Sequence, residues 1–362
     1  MPPSVDEIRV GLIGYGLAGK TFHAPLIAAT AGLRLTVVGS SQPEAVRADF
    51  PDVAVVEGEA VATAAEVDLV VIAAPNDCHA PLARAALEAG KHVVVDKPFA
   101  LSLAEARELV DLAKTQDRLI SVFQNRRWDS DFLAVKAVIA QGALGKVRHF
   151  ESHIDRYRPV VRNRWRERAT APGSGLWPDL GPHLIDQTLQ LFGLPDTVTA
   201  QLAILREGGQ TDDWWHLVLS YADGSRAILH ASMLVAGGSA RFIVHGSLGS
   251  LVKRNPDLQE DQLKAGARPG DPGWGVDPDP TLIYDAQGTV REQQTPPGDF
   301  GAYYRALHAA LTAGGPNPVT PTQALAVMAV LEAGKDSHCQ GKTLPLPLTD
   351  AERADWHCQA AD

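Results

Sequence analysis

The stretch Ile8-Arg9-Val10-Gly11-Leu12-Ile13-Gly14-Tyr15-Gly16-Leu17-Ala18-Gly19 decides the fold expected for this chain. Its first six residues are mostly apolar and predict a buried strand, and the glycines that follow are spaced as in a phosphate-binding turn. Gly14 permits the tight turn, Gly16 lets a pyrophosphate approach the backbone, and Gly19 lets a helix pack closely. Because the free N–H groups and the dipole of a helix start favour an anion, the stretch predicts a dinucleotide site. A simple packing turn is the alternative.

Short apolar runs then alternate with helical patterns up to about residue 120. The runs are rich in Val, Ile and Leu and are bounded by turn residues, as expected for buried parallel strands. This alternation predicts a doubly wound α/β domain with a parallel sheet. The predicted strands are Ile8–Ile13, Leu33–Val38, Leu69–Ala73, His92–Val95 and Leu119–Val122, and the predicted helices are Lys20–Ala29, Ala80–Ala89 and Leu103–Thr115, the last capped by Ser102.

The second part of the chain has a different pattern. Strand-like runs follow one another between residues 147 and 252, with short turns such as Ala222-Asp223-Gly224-Ser225, and favour a mostly antiparallel sheet. Residues 255–280 are rich in Pro, Gly and Asp and predict a long loop. We therefore expect a nucleotide-binding domain at residues 1–124 and an α/β substrate-binding domain at residues 125–362.

Composition argues against several classes of protein. The 362 residues suit about two domains, and the net charge of −10 disfavours binding to nucleic acids and anionic membranes. No signal peptide or apolar stretch of transmembrane length is present in the sequence, which makes a cytoplasmic location the default expectation. The three cysteines are widely spaced, so neither a disulfide framework nor a metal site is predicted.

The residues after the second strand bear on the choice of cofactor. NAD enzymes commonly carry an acid there for the ribose hydroxyls, whereas this chain has Val37-Val38-Gly39-Ser40-Ser41. No acid repels a 2′-phosphate, and Ser40, Ser41 and Arg47 could donate hydrogen bonds to it. NADP is therefore the preferred cofactor, with NAD possible. The alternative is that the two serines only make a loop hydrophilic and do not bind the cofactor.

Asp96-Lys97-Pro98 follows the predicted strand His92–Val95 directly. Groups at the carboxyl ends of parallel strands line the ligand crevice, where a lysine would stabilise a developing alkoxide. On position alone, a solvated surface lysine is an equal alternative.

Asp179 and His183 are four residues apart, which on a helix places both on one face. Pro182 lacks an N–H and fits the first turn, so the helix is expected to begin close to Asp179. Histidine suits general-base work near neutral pH, and Asp179 would orient it. A capping aspartate and a structural histidine are the alternatives.

Together these motifs resemble the Gfo/Idh/MocA family, named for glucose–fructose oxidoreductase and inositol dehydrogenase. The likeness runs from about residue 8 to residue 345. Arg156-Tyr157-Arg158-Pro159 and Trp165-Arg166 are similar to a subgroup that includes NADP-dependent scyllo-inositol dehydrogenases. The family's usual Glu-Lys-Pro is Asp96-Lys97-Pro98 here, which keeps the acid with a shorter reach. The other matching stretches are Gly14–Pro25, Ala74-Pro75-Asn76, Gln124–Asp129 and Asp179–His183.

The resemblance implies a Rossmann domain followed by an α/β domain with an open, largely antiparallel sheet, which commonly forms the interface of a homodimer or homotetramer. It implies that His183 takes the hydroxyl proton as hydride leaves the substrate, that Lys97 polarises the substrate oxygen, and that Asp179 maintains geometry and charge balance. Tyr157 is expected to hydrogen-bond the substrate. The neighbouring arginines either bind an anionic substrate or a cofactor phosphate, or form a solvated or ion-paired stretch; they are Arg156, Arg158, Arg162, Arg164 and Arg168. The residues expected to bind the cofactor are Gly14, Gly16, Leu17, Ala18, Gly19, Ser40, Ser41, Ala74, Pro75, Asn76, His79, Asp96, Lys97, Asn125, Trp165 and Arg166.

The leading hypothesis is an NAD(P)-dependent dehydrogenase or reductase that acts on a polyol, cyclitol or sugar. A non-catalytic, nucleotide-bound sugar sensor stays open because fold does not determine function, although the intact set of Lys97, Asp179 and His183 argues against it. A glycoside hydrolase that oxidises NAD transiently is a third hypothesis, which the missing ribose acid weakly disfavours.

Overall fold

The apolar run Ile8–Ile13 forms strand β1 of a six-stranded parallel sheet in the computed structural model, which describes residues 7–359. The strand order is β3-β2-β1-β4-β5-β6, in which the direction of winding reverses between β1 and β4. Ligands bind at such a reversal, outside the carboxyl ends of the strands. The other strands are β2 (Leu33–Gly39), β3 (Ala54–Val56), β4 (Leu69–Ile72), β5 (His92–Val95) and β6 (Ile120–Val122). The predicted doubly wound sheet is confirmed.

The helices of this sheet follow the predicted pattern with two additions. The first helical segment contains a π-helical turn, Gly19–His23, and continues as α1 (Ala24–Ala28). Helices α4 (His79–Glu88) and α5 (Leu103–Thr115) match their predictions closely, and the Ser102 hydroxyl accepts the Glu105 N–H at 3.2 Å as a cap. The unpredicted helices α2 (Pro43–Asp49) and α3 (Gly58–Thr63) flank the short edge strand β3 and bury few apolar residues, which weakens their periodic signal.

Two structural units emerge from the contacts within the chain. The first unit contains the described residues up to Asn125 together with Gln259–Trp274 and Asp299–Leu325, whereas the predicted division at residue 124 is linear. The added stretches contain helices α8 (Gln259–Lys264) and α9 (Gly301–Thr312). Residues 255–280 were expected to form a loop throughout, and α8 corrects this expectation. Its first side chain is buried and accepts the Phe300 N–H at 2.7 Å, a tertiary contact that composition does not reveal.

The second unit contains Arg126–Leu258, Gly275–Gly298 and the residues from Ala326 onward. Its nine strands form a mixed sheet in the order β14-β13-β12-β11-β7-β10-β9-β8-β15, parallel at β7 and β10 and otherwise antiparallel, as predicted. The strands are β7 (Val147–Asp155), β8 (Thr197–Ala203), β9 (Trp214–Ser220), β10 (Arg226–Ser232), β11 (Phe242–Gly246), β12 (Gly249–Lys253), β13 (Thr281–Asp285), β14 (Val290–Gln293) and β15 (Leu344–Pro345). The remaining helices are α6 (Ser130–Ala140), α7 (Leu176–Phe192), α10 (Pro321–Gln340), whose residues are divided between the units, and α11 (Asp350–Gln359).

One face of the second sheet packs against α7. The indole of Trp177 on α7 packs edge-to-face against that of Trp215 on β9, with 5.1 Å between the ring centroids. The buried side chains of β9 and β10 lie on this face of the sheet. Among the helices within residues 7–359, none is both long enough and apolar enough to cross a membrane.

A buried histidine lies at the end of the π-helical turn in the first unit. His23 is 0% exposed, its Nδ1 lies 2.6 Å from the Tyr304 hydroxyl, and its ring packs 4.3 Å from that of Phe123. Burial lowers the pKa of His23 to about 4, against the opposing attraction of Asp96. The folded state therefore favours the neutral ring.

We expect acid to weaken the protein through His23. Its pKa is lower in the folded state than in the unfolded state, so its contribution to stability is complete above about pH 6.5 and is lost as pH falls to about 4. The total loss should approach about 3 kcal/mol in the free energy of unfolding. Denaturant unfolding between these pH values should show a shallower pH dependence for His23→Asn than for the wild type.

The control is His357→Asn, which removes an exposed histidine in α11. This variant should retain the wild-type pH dependence. Equal slopes for wild type and His23→Asn would contradict the assignment of a buried neutral ring.

Candidate active site

The register of the first sheet aligns the carboxyl ends of its central strands. Ile13 pairs with Ile72, Ile72 with Val95, and Val95 with Val122. The segments that follow these strand ends therefore lie along one edge of the sheet. They are the glycine turn, Ala74-Pro75-Asn76, Asp96-Lys97 and the segment that ends at Asn125. Four separate groups of the predicted cofactor residues are thus brought to one place.

The glycine turn has the close backbone contacts that its sequence predicts. Gly14 has φ +96°, and a Cβ added there would overlap the carbonyl group of Ala73. A Cβ on Gly19 would overlap the carbonyl oxygen of Gly14, so this glycine packs against the turn itself. Only glycine fits at either position.

Gly16 differs from its two neighbours in the motif, because open space surrounds the position that a Cβ would take. Leu17, the next residue, is 55% exposed at the start of the helical segment. The first N–H groups of a helix have no partner within the helix and favour a phosphate. The turn therefore fits the pyrophosphate of a dinucleotide.

Sequence analysis missed a polar cluster beside this turn. The Tyr15 hydroxyl donates to the Asp49 carboxylate at 2.8 Å, and Lys20 Nζ lies 2.9 Å from the same carboxylate. The hydrogen bond from Lys20 lowers the pKa of Asp49, whereas burial and Asp49 raise that of Tyr15. Asp49 lies 34 residues from Tyr15 along the chain, so no local spacing indicates the pairing.

The end of β2 has the neutral character that the sequence predicts. Ser40 is half-buried, its hydroxyl accepts the Gln42 N–H at 2.9 Å, and its own N–H donates to Val56. Ser41 and Arg47 are exposed, Arg47 on helix α2. These residues leave the strand end without a carboxylate of its own.

The loop after β5 holds Asp96 and Lys97. Asp96 is buried, and its Oδ1 accepts the Lys97 N–H at 2.8 Å and lies 3.9 Å from His23 Nε2. Lys97 is half-buried and precedes Pro98 through a cis peptide bond. Asp96 thus fixes the backbone of the lysine that follows it.

The loop after β4 leads into helix α4. Asn76 is buried in the turn before the helix, and His79 is the first residue of the helix itself. His79 is 1% exposed, and its two ring nitrogens face the carbonyl oxygens of Pro98 and Ala74. The side chain expected to contact the cofactor is therefore already engaged with the backbone of its own unit.

Helix α7 of the second unit holds Asp179 and His183. It begins at Leu176, before the position predicted from Asp179, and Pro182 lies inside it rather than in the first turn. Asp179 is half-buried in the first turn with the Nε of Arg166 3.5 Å from its Oδ1, and His183 is buried. The alternative that Asp179 caps the helix is therefore wrong, because Asp179 lies inside the first turn.

Asp212 is the residue that caps this helix. Its Oδ2 accepts the Trp177 N–H at 2.6 Å and its carbonyl accepts the Leu176 N–H at 2.9 Å. The capping position itself is Gly175, where φ is +110° and a Cβ would overlap the Asp212 carboxylate. Burial raises the pKa of Asp212 to about 6. Because Asp212 lies 35 residues from Trp177 along the chain, local sequence could not indicate the true helix start.

Two arginines of the segment between residues 156 and 168, Arg162 and Arg166, lie within ion-pair distance of a carboxylate. Arg162 lies 3.2 Å from Glu167, which also lies 3.2 Å from Arg206, and Arg168 donates to Asn163 at 2.6 Å. The contact with Glu167 favours the ion-paired alternative over anion binding for Arg162, whereas Arg168 is hydrogen-bonded to a neutral amide.

Three further predicted site residues lie in the same segment. The Arg166 guanidinium lies over the Trp165 ring, 4.5 Å from its centroid. The side chain of Tyr157 is 60% exposed, and the backbone of Tyr157 forms an isolated antiparallel β-bridge with that of Leu234. Trp165, Arg166 and Tyr157 therefore belong with Asp179 and His183 to the second unit, and Lys97 to the first.

Comparison with known proteins gives matches over both parts of the chain. Residues 8–124 match the family model of the NAD-binding Rossmann fold of the Gfo/Idh/MocA oxidoreductases, and residues 136–347 match the C-terminal alpha/beta domain of the same family. The uncharacterized oxidoreductase YdgJ of Escherichia coli is 53% identical over 345 residues, which are 94% of this chain and 99% of that protein.

Two further relatives extend the comparison. The scyllo-inositol 2-dehydrogenase (NADP⁺) IolW of Bacillus subtilis is 37% identical over 94% of this chain and 97% of its own length. A crystal structure of a protein from Klebsiella pneumoniae superimposes with a TM-score of 0.92 and 54% identity over 98% of this chain and 99% of that one. The chain therefore belongs to the Gfo/Idh/MocA family and is an oxidoreductase with an NAD-binding Rossmann domain.

Proposed function

We propose that this oxidoreductase transfers a hydride between NADP(H) and a hydroxyl- or carbonyl-bearing carbon of a cyclitol or sugar. The observation that carries the proposal is the shared strand edge, where Lys97 lies in the same row of loops as the glycine turn. The likeness to a scyllo-inositol 2-dehydrogenase supports this substrate class.

Three side chains have distinct roles in the proposed reaction. His183 accepts the proton of the substrate hydroxyl when the alcohol is oxidised, and returns it in the reverse direction. The Lys97 ammonium group stabilises the negative charge that develops on the same oxygen. Asp179, held beside Arg166, balances charge around the histidine. The nicotinamide, when bound, supplies the hydride acceptor or donor.

The cofactor would be held mainly by backbone and neutral side chains. The N–H groups at Gly16, Leu17 and Ala18 would bind the pyrophosphate, and Ser40 and Ser41 at the end of β2 would hold the adenosine ribose. A strand end without an acid accepts a 2′-phosphate, and this supports NADP over NAD. Ala74, Pro75, Asn76 and Asn125 line the same edge of the sheet.

Substitution at Lys97 and at His183 tests the proposed site. We expect Lys97→Met and His183→Asn each to lower kcat/KM for NADP⁺ reduction with scyllo-inositol by about 10² to 10⁴-fold, because each removes proton transfer or charge stabilisation. Binding of NADPH, followed by nicotinamide fluorescence, should remain within about threefold of the wild type.

Lys114→Met and His357→Asn are matched controls, since both residues are exposed on helices α5 and α11. They should leave the rate unchanged. Full activity in both site variants would refute the assignment of Lys97 and His183.

Cofactor preference can be tested at the end of β2. Ser40→Asp keeps an acceptor for the Gln42 N–H but adds a negative charge, so NADPH should bind about tenfold more weakly or worse while NADH gains. Ser40→Ala removes the hydroxyl without adding charge and should change the preference less. An unaltered ratio of the NADPH and NADH dissociation constants in Ser40→Asp would place the ribose elsewhere.

Assembly is proposed to use the open face of the second sheet. Trp214, His216 and His230 lie on the face opposite the one that packs against α7, and are half-buried there. A face that carries the large aromatic side chain of Trp214 beside histidine rings suits contact with a second copy of the chain.

Trp214→Glu should reduce the mass of the assembly measured by light scattering, because a buried charge at an interface is costly. Gln116→Glu, at an exposed site at the end of α5 in the first unit, is the control and should leave the mass unchanged. An unchanged mass in Trp214→Glu would argue against this face as the interface.

A further inference from the structure

His79 spans the gap between two loops of the first unit. Its Nδ1 lies 2.7 Å from the carbonyl oxygen of Pro98, and its Nε2 lies 3.0 Å from that of Ala74. Ala74 follows β4 and Pro98 follows β5, which are neighbouring strands. The ring therefore joins the two loops at the edge of the sheet where the cofactor site is proposed.

Both ring nitrogens of His79 face acceptors. Carbonyl oxygens only accept hydrogen bonds, and a neutral imidazole has a single N–H. A neutral ring therefore donates to one of the two carbonyls, while its other nitrogen packs against the second.

The charged groups around His79 act in opposite directions. Burial lowers the pKa of His79, while Asp96 and the two carbonyl contacts raise it, and the Lys97 ammonium lowers it. The buried ring of His23 also interacts with Asp96, from the helical segment after the glycine turn. Burial outweighs the attraction of Asp96, so the pKa of His79 lies below its ordinary value and the folded state favours the neutral ring.

The loop that His79 binds also touches the glycine turn. A Cβ on Gly14 would overlap the carbonyl of Ala73, so the turn and the loop after β4 are in direct backbone contact. A continuous path of contacts runs from Gly14 through Ala73 and Ala74 to the His79 ring, and from the ring to Pro98. Lys97 is bonded covalently to that proline.

We propose that His79 is a positioning residue, whose ring clasps the Ala74-Pro75-Asn76 loop to the Asp96-Lys97-Pro98 loop and so sets the position of Lys97 relative to the dinucleotide. With a side chain that is 1% exposed and two ring nitrogens directed at backbone carbonyls, it acts through these loops and not by touching cofactor or substrate. The clasp is a property of the first unit, and its catalytic consequence rests on the proposed function.

Loss of the clasp should affect turnover more than binding. A catalytic group displaced by about 1 Å can cost about 10²-fold in rate. The pyrophosphate contacts of the glycine turn do not pass through the His79 ring, so dinucleotide affinity should be largely retained.

Amide hydrogen exchange tests the clasp without any substrate. His79→Gln replaces the rigid ring between the two carbonyls with a flexible amide, so peptides covering residues 74–78 and 96–101 should exchange at least about fivefold faster in the otherwise intact protein. The matched control is His92→Gln, because His92 is a partly buried histidine at the other end of β5 that accepts the Leu119 N–H at 2.9 Å. The control should leave both loops protected. Unchanged exchange in both loops of His79→Gln would overturn the clasp.

A double-mutant cycle tests whether the clasp positions Lys97. With scyllo-inositol and NADP⁺, His79→Gln should lower kcat by about 10- to 100-fold while the dissociation constant of NADPH changes by less than about threefold. In a Lys97→Met background the same substitution should have almost no further effect on kcat, since His79 acts through that lysine. Independent, multiplicative losses, or a lower melting temperature with an unchanged kcat, would leave His79 with a structural role only and overturn the positioning role.

The two experiments separate the failure of this inference from the failure of the proposed function. If Lys97→Met keeps full activity, the proposed catalytic site fails and the positioning role fails with it, whatever the exchange result. If the wild type reduces no NADP⁺ with scyllo-inositol or other polyols, the proposed function fails and the exchange experiment by itself upholds or overturns the clasp.

Discussion

The backbone of Gly14 lies against the carbonyl of Ala73, and no side chain fits between them. This contact depends on the positive φ of Gly14 and on the register that pairs Ile13 with Ile72. Because the turn is so close to the neighbouring strand end, the helical segment that follows starts directly over the edge of the sheet. Gly19 then packs against the turn, while the space around Gly16 stays open. An anion site at the helix start is the physical result.

Behind this edge lie polar groups that the core must accommodate. His23 meets the Tyr304 hydroxyl, His79 meets two carbonyls, and Asp96 lies close to His23. Tyr304 belongs to the later stretch Asp299–Leu325, whose Asn317 also donates to the Ile120 carbonyl at 2.9 Å. The first unit therefore needs residues from the second half of the sequence to satisfy polar groups in its sheet and core. A single boundary at residue 124 therefore assigns Asp299–Leu325 to the wrong unit.

The sequence features that predicted well are the local ones. Strand β1, the glycine turn and the Ser102 cap each depend on residues within a few positions of one another, so their signals are contained in short windows. The start of α7 was mispredicted because its cap comes from Asp212, and α8 was missed because its first side chain is held by Phe300. The contacts of Asp49 with Tyr15 and Lys20 were likewise not predictable from local sequence, because folding of the sheet brings these distant residues together.

The predicted site residues divide in the same way. Position after a strand identified Lys97, and helical spacing identified Asp179 and His183, as candidates, but neither signal could show that His79 faces the backbone of its own unit. That assignment depends on the pairing of β4 with β5, which brings Ala74 and Pro98 to opposite sides of one ring. A histidine near a strand end is therefore ambiguous until the partners of both nitrogens are known.

The state of the arginines in the second unit bears on the kind of substrate. Glu167 lies within ion-pair distance of Arg162 and Arg206, and Asp179 lies near Arg166. Positive charge that is already compensated offers little to an anionic ligand, because binding would require breaking existing pairs and desolvating their carboxylates. Recognition of a neutral polyol requires only hydrogen bonds, and these can be formed by a histidine, a tyrosine hydroxyl and a lysine. The pairing of Arg162 and Arg166 is thus in keeping with the uncharged substrate class proposed above.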